Sequence, residues 1–116
     1  MTKVVITAAG KGTRLLPLTK EMPKEMMPIF SKNPDGERVV LPLLQFVYEQ
    51  LYSIGFRDYC FVVGREKRAI EDHFTPHEAF LHGLKGIHKK NMTRFYKKLE
   101  NSHLVWINQN KPLGFG

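Results

Sequence analysis

The sequence predicts an α/β protein built on an open parallel sheet with helices on both faces. Three observations lead there. The runs Val4-Val5-Ile6-Thr7-Ala8-Ala9, Tyr59 to Val63 and Leu104 to Asn108 are short and apolar, as strands buried in a parallel sheet are. Segments of helical period separate them. The first and last of these strands run into glycine-bearing loops, the place where open α/β sheets hold their ligands.

The first strand breaks at Gly10-Lys11-Gly12-Thr13-Arg14. Two glycines let the backbone take φ > 0 and let a ligand approach where a Cβ would collide. Successive N–H groups in such a turn make an anion-binding hollow, and Arg14 adds a forked, permanent charge at its rim. A dinucleotide fingerprint would need glycine at position 15, which is Leu15, and no Gly-Lys-Ser/Thr of a phosphate-binding ATPase loop occurs. Pro17 and Pro23 then keep the chain as far as Pro28 from forming a long helix. Ser31 to Arg38, with Asn-Pro and Asp-Gly at its centre, has the chemistry of a reversal.

Pro42 fits the first turn of a helix whose apolar positions are Leu44, Val47, Leu51 and Ile54, closed by Gly55. Tyr59 to Val63 is the second strand, Gly64 turns the chain, and Glu66 to Phe74 is a short helix stopped before Thr75-Pro76. Phe80 to Lys98 reads as one helical excursion, weakened early by Gly83 and Gly86. The third strand exits into Gln109-Asn110-Lys111-Pro112-Leu113-Gly114-Phe115-Gly116. This alternation implies parallel strands joined by right-handed crossovers.

Composition narrows the function classes. The 116 residues allow one domain, and 42% hydrophobic with 25% charged residues suits a globular protein. No apolar run of about 18 residues and no signal-peptide pattern is visible, so no membrane association and a cytoplasmic location are expected. The lone Cys60 reads as a buried strand residue. His73, His77 and His82 are not expected to hold a metal, because Pro76 interrupts the helix that would align them. The net charge of +7 concentrates at Lys85, Lys89, Lys90, Arg94, Lys97 and Lys98. A solvated helix face is favoured there over a nucleic-acid surface.

Two glycine-rich exits at the ends of neighbouring parallel strands, with Arg14 and Lys24 nearby, suggest a nucleotide or phosphate ligand lying across the strand ends. The stretch from Ala8 to Pro28 also resembles the signature of the sugar-phosphate nucleotidylyltransferases: Gly-x-Gly-Thr-Arg, then Pro23-Lys24 and a closing Pro28. Ala8-Ala9-Gly10, Thr19-Lys20 and Pro23-Lys24-Glu25-Met26-Met27-Pro28 are most similar to the bacterial-type UTP:glucose-1-phosphate uridylyltransferases. Gln109 followed by Pro112-Leu113-Gly114 is a second match. The connection from Ser31 to Arg38 is longer than is usual in that family.

The resemblance implies a Rossmann-like nucleotidyltransferase domain of which residues 1–116 are the leading, nucleotide-binding portion. It implies uridylyl transfer from UTP to glucose 1-phosphate, giving UDP-glucose and pyrophosphate. By the same resemblance, Ala9 and Gly10 would face the base and sugar, and Gly12, Thr13 and Arg14 the triphosphate. Arg14 and Lys24 would be the catalytic cations, Gln109 and Gly114 would read uracil, and Glu25 would be a further substrate contact. Mg2+ is implied as cofactor, with carboxylate ligands beyond residue 116, and a homo-oligomer is expected of the complete protein. Two rivals stay open within the nucleotide reading: transfer from dTTP or onto another sugar 1-phosphate, and a non-catalytic nucleotide-sensing module.

Overall fold

The structure, a computed structural model, describes residues 3–8, 24–64 and 67–109. Strand β1 (Lys3–Ala8) is followed by a single 3-10 turn at Lys24–Met26 and two strands, β2 (Pro28–Lys32) and β3 (Arg38–Pro42). Helix α1 (Leu43–Ile54) leads to β4 (Asp58–Val63), and three helices follow: α2 (Lys67–His73), α3 (Glu78–His82) and α4 (Gly86–Glu100). Strand β5 (His103–Asn108) completes a parallel sheet in the order β1-β4-β5. β4 is central. Its register aligns Ile6, Phe61 and Trp106 on one row and Ala8, Val63 and Asn108 on another.

The alternation along β4 explains the layer order. Tyr59, Phe61 and Val63 point to one face and are fully buried. Against them pack Tyr48 of α1, Ile70 and Phe74 of and just after α2, and Phe95, Tyr96 and Leu99 of α4. Tyr48 meets Tyr59 at 4.9 Å between ring centroids, Phe61 stacks on Trp106 at 4.6 Å, and Phe74 meets Phe61 at 5.2 Å. Among the described residues the helices gather on this face. On the other face Val5, Val105 and Ile107 are exposed, with Cys60 buried between its neighbours Val5 and Val105.

Three expectations need correction. The segment on either side of the Asn33 reversal is a two-stranded antiparallel hairpin, β2 with β3, paired from Pro28 opposite Pro42 to Lys32 opposite Arg38. Its prolines lie at the end of the ladder, where a missing N–H costs least. Asn33 organises the turn: its Oδ1 accepts from the N–H groups of Asp35 and Glu37, and Gly36 takes φ 82. Secondly, the buried side of α1 centres on Tyr48, while Ile54 is 72% exposed. Tyr48 can occupy the middle of an apolar core because its hydroxyl donates to Ser102 Oγ at 2.7 Å, and Ser102 in turn donates to the Lys98 carbonyl at 2.8 Å. Pro42 stands one position earlier than expected, as the N-cap of α1, and Gly55 closes that helix at φ 121 with its N–H on the Leu51 and Tyr52 carbonyls. Thirdly, the excursion at 80–98 is two helices. Gly83 ends α3, and Gly86 opens α4 at φ 62.

Candidate functional site

Parallel pairing places the carboxyl ends of β1, β4 and β5 side by side, at Ala8, Val63 and Asn108. The chain therefore leaves β1 and β5 on the same edge of the sheet. The sequence suggested exits from neighbouring strands; β4 in fact lies between them. Two interstrand spacings separate the exits by about 10 Å. That span suits a ligand with a base at one end and phosphates at the other.

Gln109 is the described residue that faces this edge most informatively. Its backbone N–H donates to the Val63 carbonyl at 2.7 Å, extending the β4–β5 ladder one step and holding the residue beside the end of β4. Its side-chain Oε1 is out of contact with solvent and has no hydrogen-bond partner among the described residues. An amide carbonyl left so costs on the order of 1–3 kcal/mol unless a ligand supplies the donor.

Lys24 and Glu25 lie in the 3-10 turn that enters the hairpin. The turn is held from two sides. Met26 packs on the core, and the Met27 carbonyl accepts from the Leu43 N–H at 2.9 Å, tying the start of the hairpin to the start of α1. Glu25 is buried, with both carboxylate oxygens out of solvent. The structure thus brings Gln109 to the strand edge and seats Lys24 and Glu25 in a braced turn. Ala9, Gly10, Gly12, Thr13, Arg14 and Gly114 lie outside the described residues.

The described carboxylates do not fit a magnesium site at the strand edge. Asp58 opens β4 at the opposite end of the sheet, and Glu71 and Asp72 are in α2. Asp35 and Glu37 bind Lys90 at 2.6 and 3.1 Å, Asp35 also binds Arg94 at 3.0 Å, and Glu49 binds Lys98 at 2.6 Å. These pairs also revise the view of the basic segment, whose cations lack acidic neighbours only along the chain. In space the hairpin tip and α1 supply carboxylates for Lys90, Arg94 and Lys98. This leaves Lys85, Lys89 and Lys97, too few for a nucleic-acid surface to outweigh a solvated helix face.

The histidines have other employments. His77 Nδ1 accepts from the Phe80 N–H and caps α3, and His82 stands 3.9 Å from Glu78. His73 Nε2 lies 2.6 Å from Gln45 Oε1, Gln45 donates to Glu49 at 2.9 Å, and Glu49 takes Lys98, forming a polar chain across α2, α1 and α4. Phe74 and Phe95 flank the His73 ring. Burial holds the imidazole below the ordinary histidine range, against a smaller upward pull from the Glu49 carboxylate. The unfolded chain therefore takes up a proton first as pH falls. Stability should be constant above about pH 6.5 and fall from there down to the lower folded pKa. Urea midpoints across this window should show the decline, and His73→Gln should flatten it. Asp35, held low by bonds from Lys90 and Arg94, and Glu37, held low by bonds from Asn33 and Lys90, act only in the acid range below the ordinary carboxylate values.

Sequence reasoning missed the hairpin that braces the Lys24 turn. Its signal was present in the alternation Ile29, Ser31 against Phe30, Lys32 and in the branched run Val39-Val40-Leu41, bracketing an Asn-Pro-Asp-Gly turn.

Comparisons with known proteins bear on the family and the fold. The model of the nucleotidyl transferase family matches residues 3–91. A UTP--glucose-1-phosphate uridylyltransferase of Bacillus subtilis (strain 168) is 39% identical over 115 residues, and one of Streptococcus pneumoniae serotype 4 is 39% identical over 114. Each alignment covers 98% of this chain, but 36% and 35% of the relative, so the chain spans little more than a third of their length. The crystal structure of apo UDP-glucose pyrophosphorylase superposes with a TM-score of 0.81 at 30% identity, over 99% of this chain and 39% of that one. A UDP-glucose pyrophosphorylase complexed with UDP-glucose gives 0.68 at 31%, over 96% and 36%. Among the described residues no helix is long and apolar enough to cross a membrane. With a family match over 3–91, and relatives alike along nearly its whole length, the chain belongs to the nucleotidyl transferase family.

Proposed function

We propose that the complete protein transfers a uridylyl group from UTP to glucose 1-phosphate, and that residues 1–116 are the leading, nucleotide-binding portion of its catalytic domain. The observation that carries this is Gln109: a buried amide carbonyl without a donor among the described residues, fixed at the strand edge about two strand spacings from the exit of β1. Uracil offers N3–H to that carbonyl and O4 to the side-chain N–H2. The names of the relatives support the same choice of nucleotide and product.

In the reaction a phosphate oxygen of glucose 1-phosphate attacks the α-phosphorus of UTP. The new P–O bond forms as the bond from the α-phosphorus to the bridging oxygen breaks, and pyrophosphate leaves with the electron pair. Positioning and charge neutralisation carry most of such catalysis. Ala9 and Gly10 approach the nucleoside, Gly12 and Thr13 give backbone and hydroxyl donors to the triphosphate, and Gly114 adds a backbone contact to the base. Arg14 bridges two phosphate oxygens, and Lys24, on its braced turn, brings a second cation to the phosphates. Glu25 adjoins Lys24 and shares that bracing. Magnesium would shield the triphosphate, with ligands the described residues do not provide. We expect turnover from the complete protein and little or none from residues 1–116 alone, and propose a homo-oligomer and a cytoplasmic setting for the complete protein.

Calorimetric titration of the complete protein with UTP, dTTP, GTP and ATP tests this. UTP should bind tightest, with GTP and ATP at least about tenfold weaker, the equivalent of one good hydrogen bond to the wrong base edge. Gln109→Ala should weaken UTP and dTTP alike, because the two bases share the edge it reads; dTTP as the tightest ligand would select the thymidylyl alternative. Absence of nucleotide binding by the folded protein would overturn the proposal.

A further inference from the structure

On the far side of α1 from the sheet, the hairpin, α1 and α4 enclose a groove of about 840 Å3, within the range of small-molecule sites. Of the predicted site residues, neither Glu25 nor Gln109 lines it. Its walls are largely apolar: Phe30 and its cross-strand partner Val40 on the hairpin, Phe46 on α1, Leu84 in the connection between α3 and α4, and Ile87 at the start of α4. Phe30 is 87% exposed and Val40 60%. Phe30 and Val40 stand opposite one another in the ladder, so their exposed apolar surface is contiguous, the kind of patch that marks a binding groove.

The charges in the groove do not balance. Lys98 is matched by Glu49, and Arg94 reaches Asp35 through Nη2. Arg94 Nη1, however, is out of solvent contact and has no hydrogen-bond partner among the described residues. Lys32 and Arg38, opposite one another in the ladder, flank the turn that carries Asp35 and have no carboxylate among the described residues. Asn91 Oδ1 accepts from the Asn33 side-chain N–H2 at 3.1 Å, leaving the Asn91 amide N–H2 as a further donor at the same end. The result is a slot with apolar sides and an unspent cationic end. Each part asks for the opposite half of one molecule: a flat apolar body and an anion that accepts from Arg94.

We propose that this groove is a second binding site, apart from the strand edge, for a small organic anion with a flat apolar body and a carboxylate or phosphate-type head. It stands independently of the uridylyl-transfer reading, because none of its observations uses the strand exits. The anion supplies the missing acceptor to Arg94 Nη1 and neutralises the Lys32–Arg38 pair, and its body covers Phe30 and Val40. A charge-assisted bond of this kind is worth about a tenfold change in affinity or more.

The test is a titration of the complete protein with 2-naphthoate, followed by amide chemical shifts, beside the uncharged 2-naphthamide and in the presence and absence of UTP. Expected are saturable shifts gathered on Phe30, Val40, Asn91 and Arg94, with naphthamide at least about tenfold weaker and UTP without effect on naphthoate. Arg94→Gln should weaken naphthoate about tenfold. Phe30→Ala should also weaken it, and at an exposed position this variant tests the groove without threatening the core. Equal binding of acid and amide, shifts centred on Val5, Val105 and Ile107 of the open sheet face, displacement by UTP, or no saturable binding would each overturn the proposal.

Discussion

Phe61→Ala should remove about 3–5 kcal/mol of folding stability, the cost of deleting a fully buried aromatic ring. The ring touches three partners at once: it stacks on Trp106 at 4.6 Å, meets Phe74 at 5.2 Å and neighbours Tyr59 at 6.3 Å. These belong to β5, the end of α2 and β4, so the cavity opens where the sheet meets its helices and neither side can close it without moving a backbone. Domains of this size hold only about 5–15 kcal/mol in total. Urea denaturation should therefore find the variant largely unfolded or with a much reduced midpoint. Val5→Thr, one row away on the open face and 62% exposed, should change stability by less than about 0.5 kcal/mol. Comparable losses from both substitutions would contradict the one-sided burial seen among the described residues.

If the proposed uridylyl transfer holds, Arg14→Ala in the complete protein should lower kcat for UDP-glucose formation by about 10²–10³-fold, or about 3–4 kcal/mol of barrier. A guanidinium grips two phosphate oxygens with parallel N–H donors, and this grip strengthens as charge gathers on the transferring group. Arg14→Lys should recover only part of the loss, since an ammonium lacks the fork. Release of pyrophosphate from UTP and glucose 1-phosphate measures the effect, with KM for glucose 1-phosphate as the internal comparison. A variant within about threefold of the parent would remove Arg14 from the transition state.

Much of the architecture was legible because β4 and its neighbours are apolar beyond what any helix of the chain needs. The parallel sheet, α1 with its Gly55 stop, and the early weakness at Gly83 and Gly86 all follow from local chemistry. The hairpin was less legible. Its strands are five residues each and carry prolines at the ends, which reads as loop when each strand is taken alone. Tyr48 was overlooked for a related reason: its place in the core depends on Ser102, more than fifty residues away, accepting its hydroxyl. The strand-edge position of Gln109 followed from the motif, but the burial of its carbonyl without a partner among the described residues belongs to tertiary structure alone. The cations of α4 looked unopposed for want of the same long-range information.

The central place of β4 also sets an order on folding. Among the described strands β1 and β5 do not pair with one another and each joins the sheet through β4, so Lys3 must wait for Asp58, and Asp58 in turn for His103. As the chain emerges from a ribosome, β1 comes first yet stays without its partner until the hairpin and α1 have followed. Those two segments can form at once, a hairpin within microseconds and a helix faster still. The slow step is the closing of two long loops onto one strand, as expected for a topology dominated by distant pairings. During that wait the apolar run Val4-Val5-Ile6 is the part of the nascent chain that a chaperone would be expected to hold.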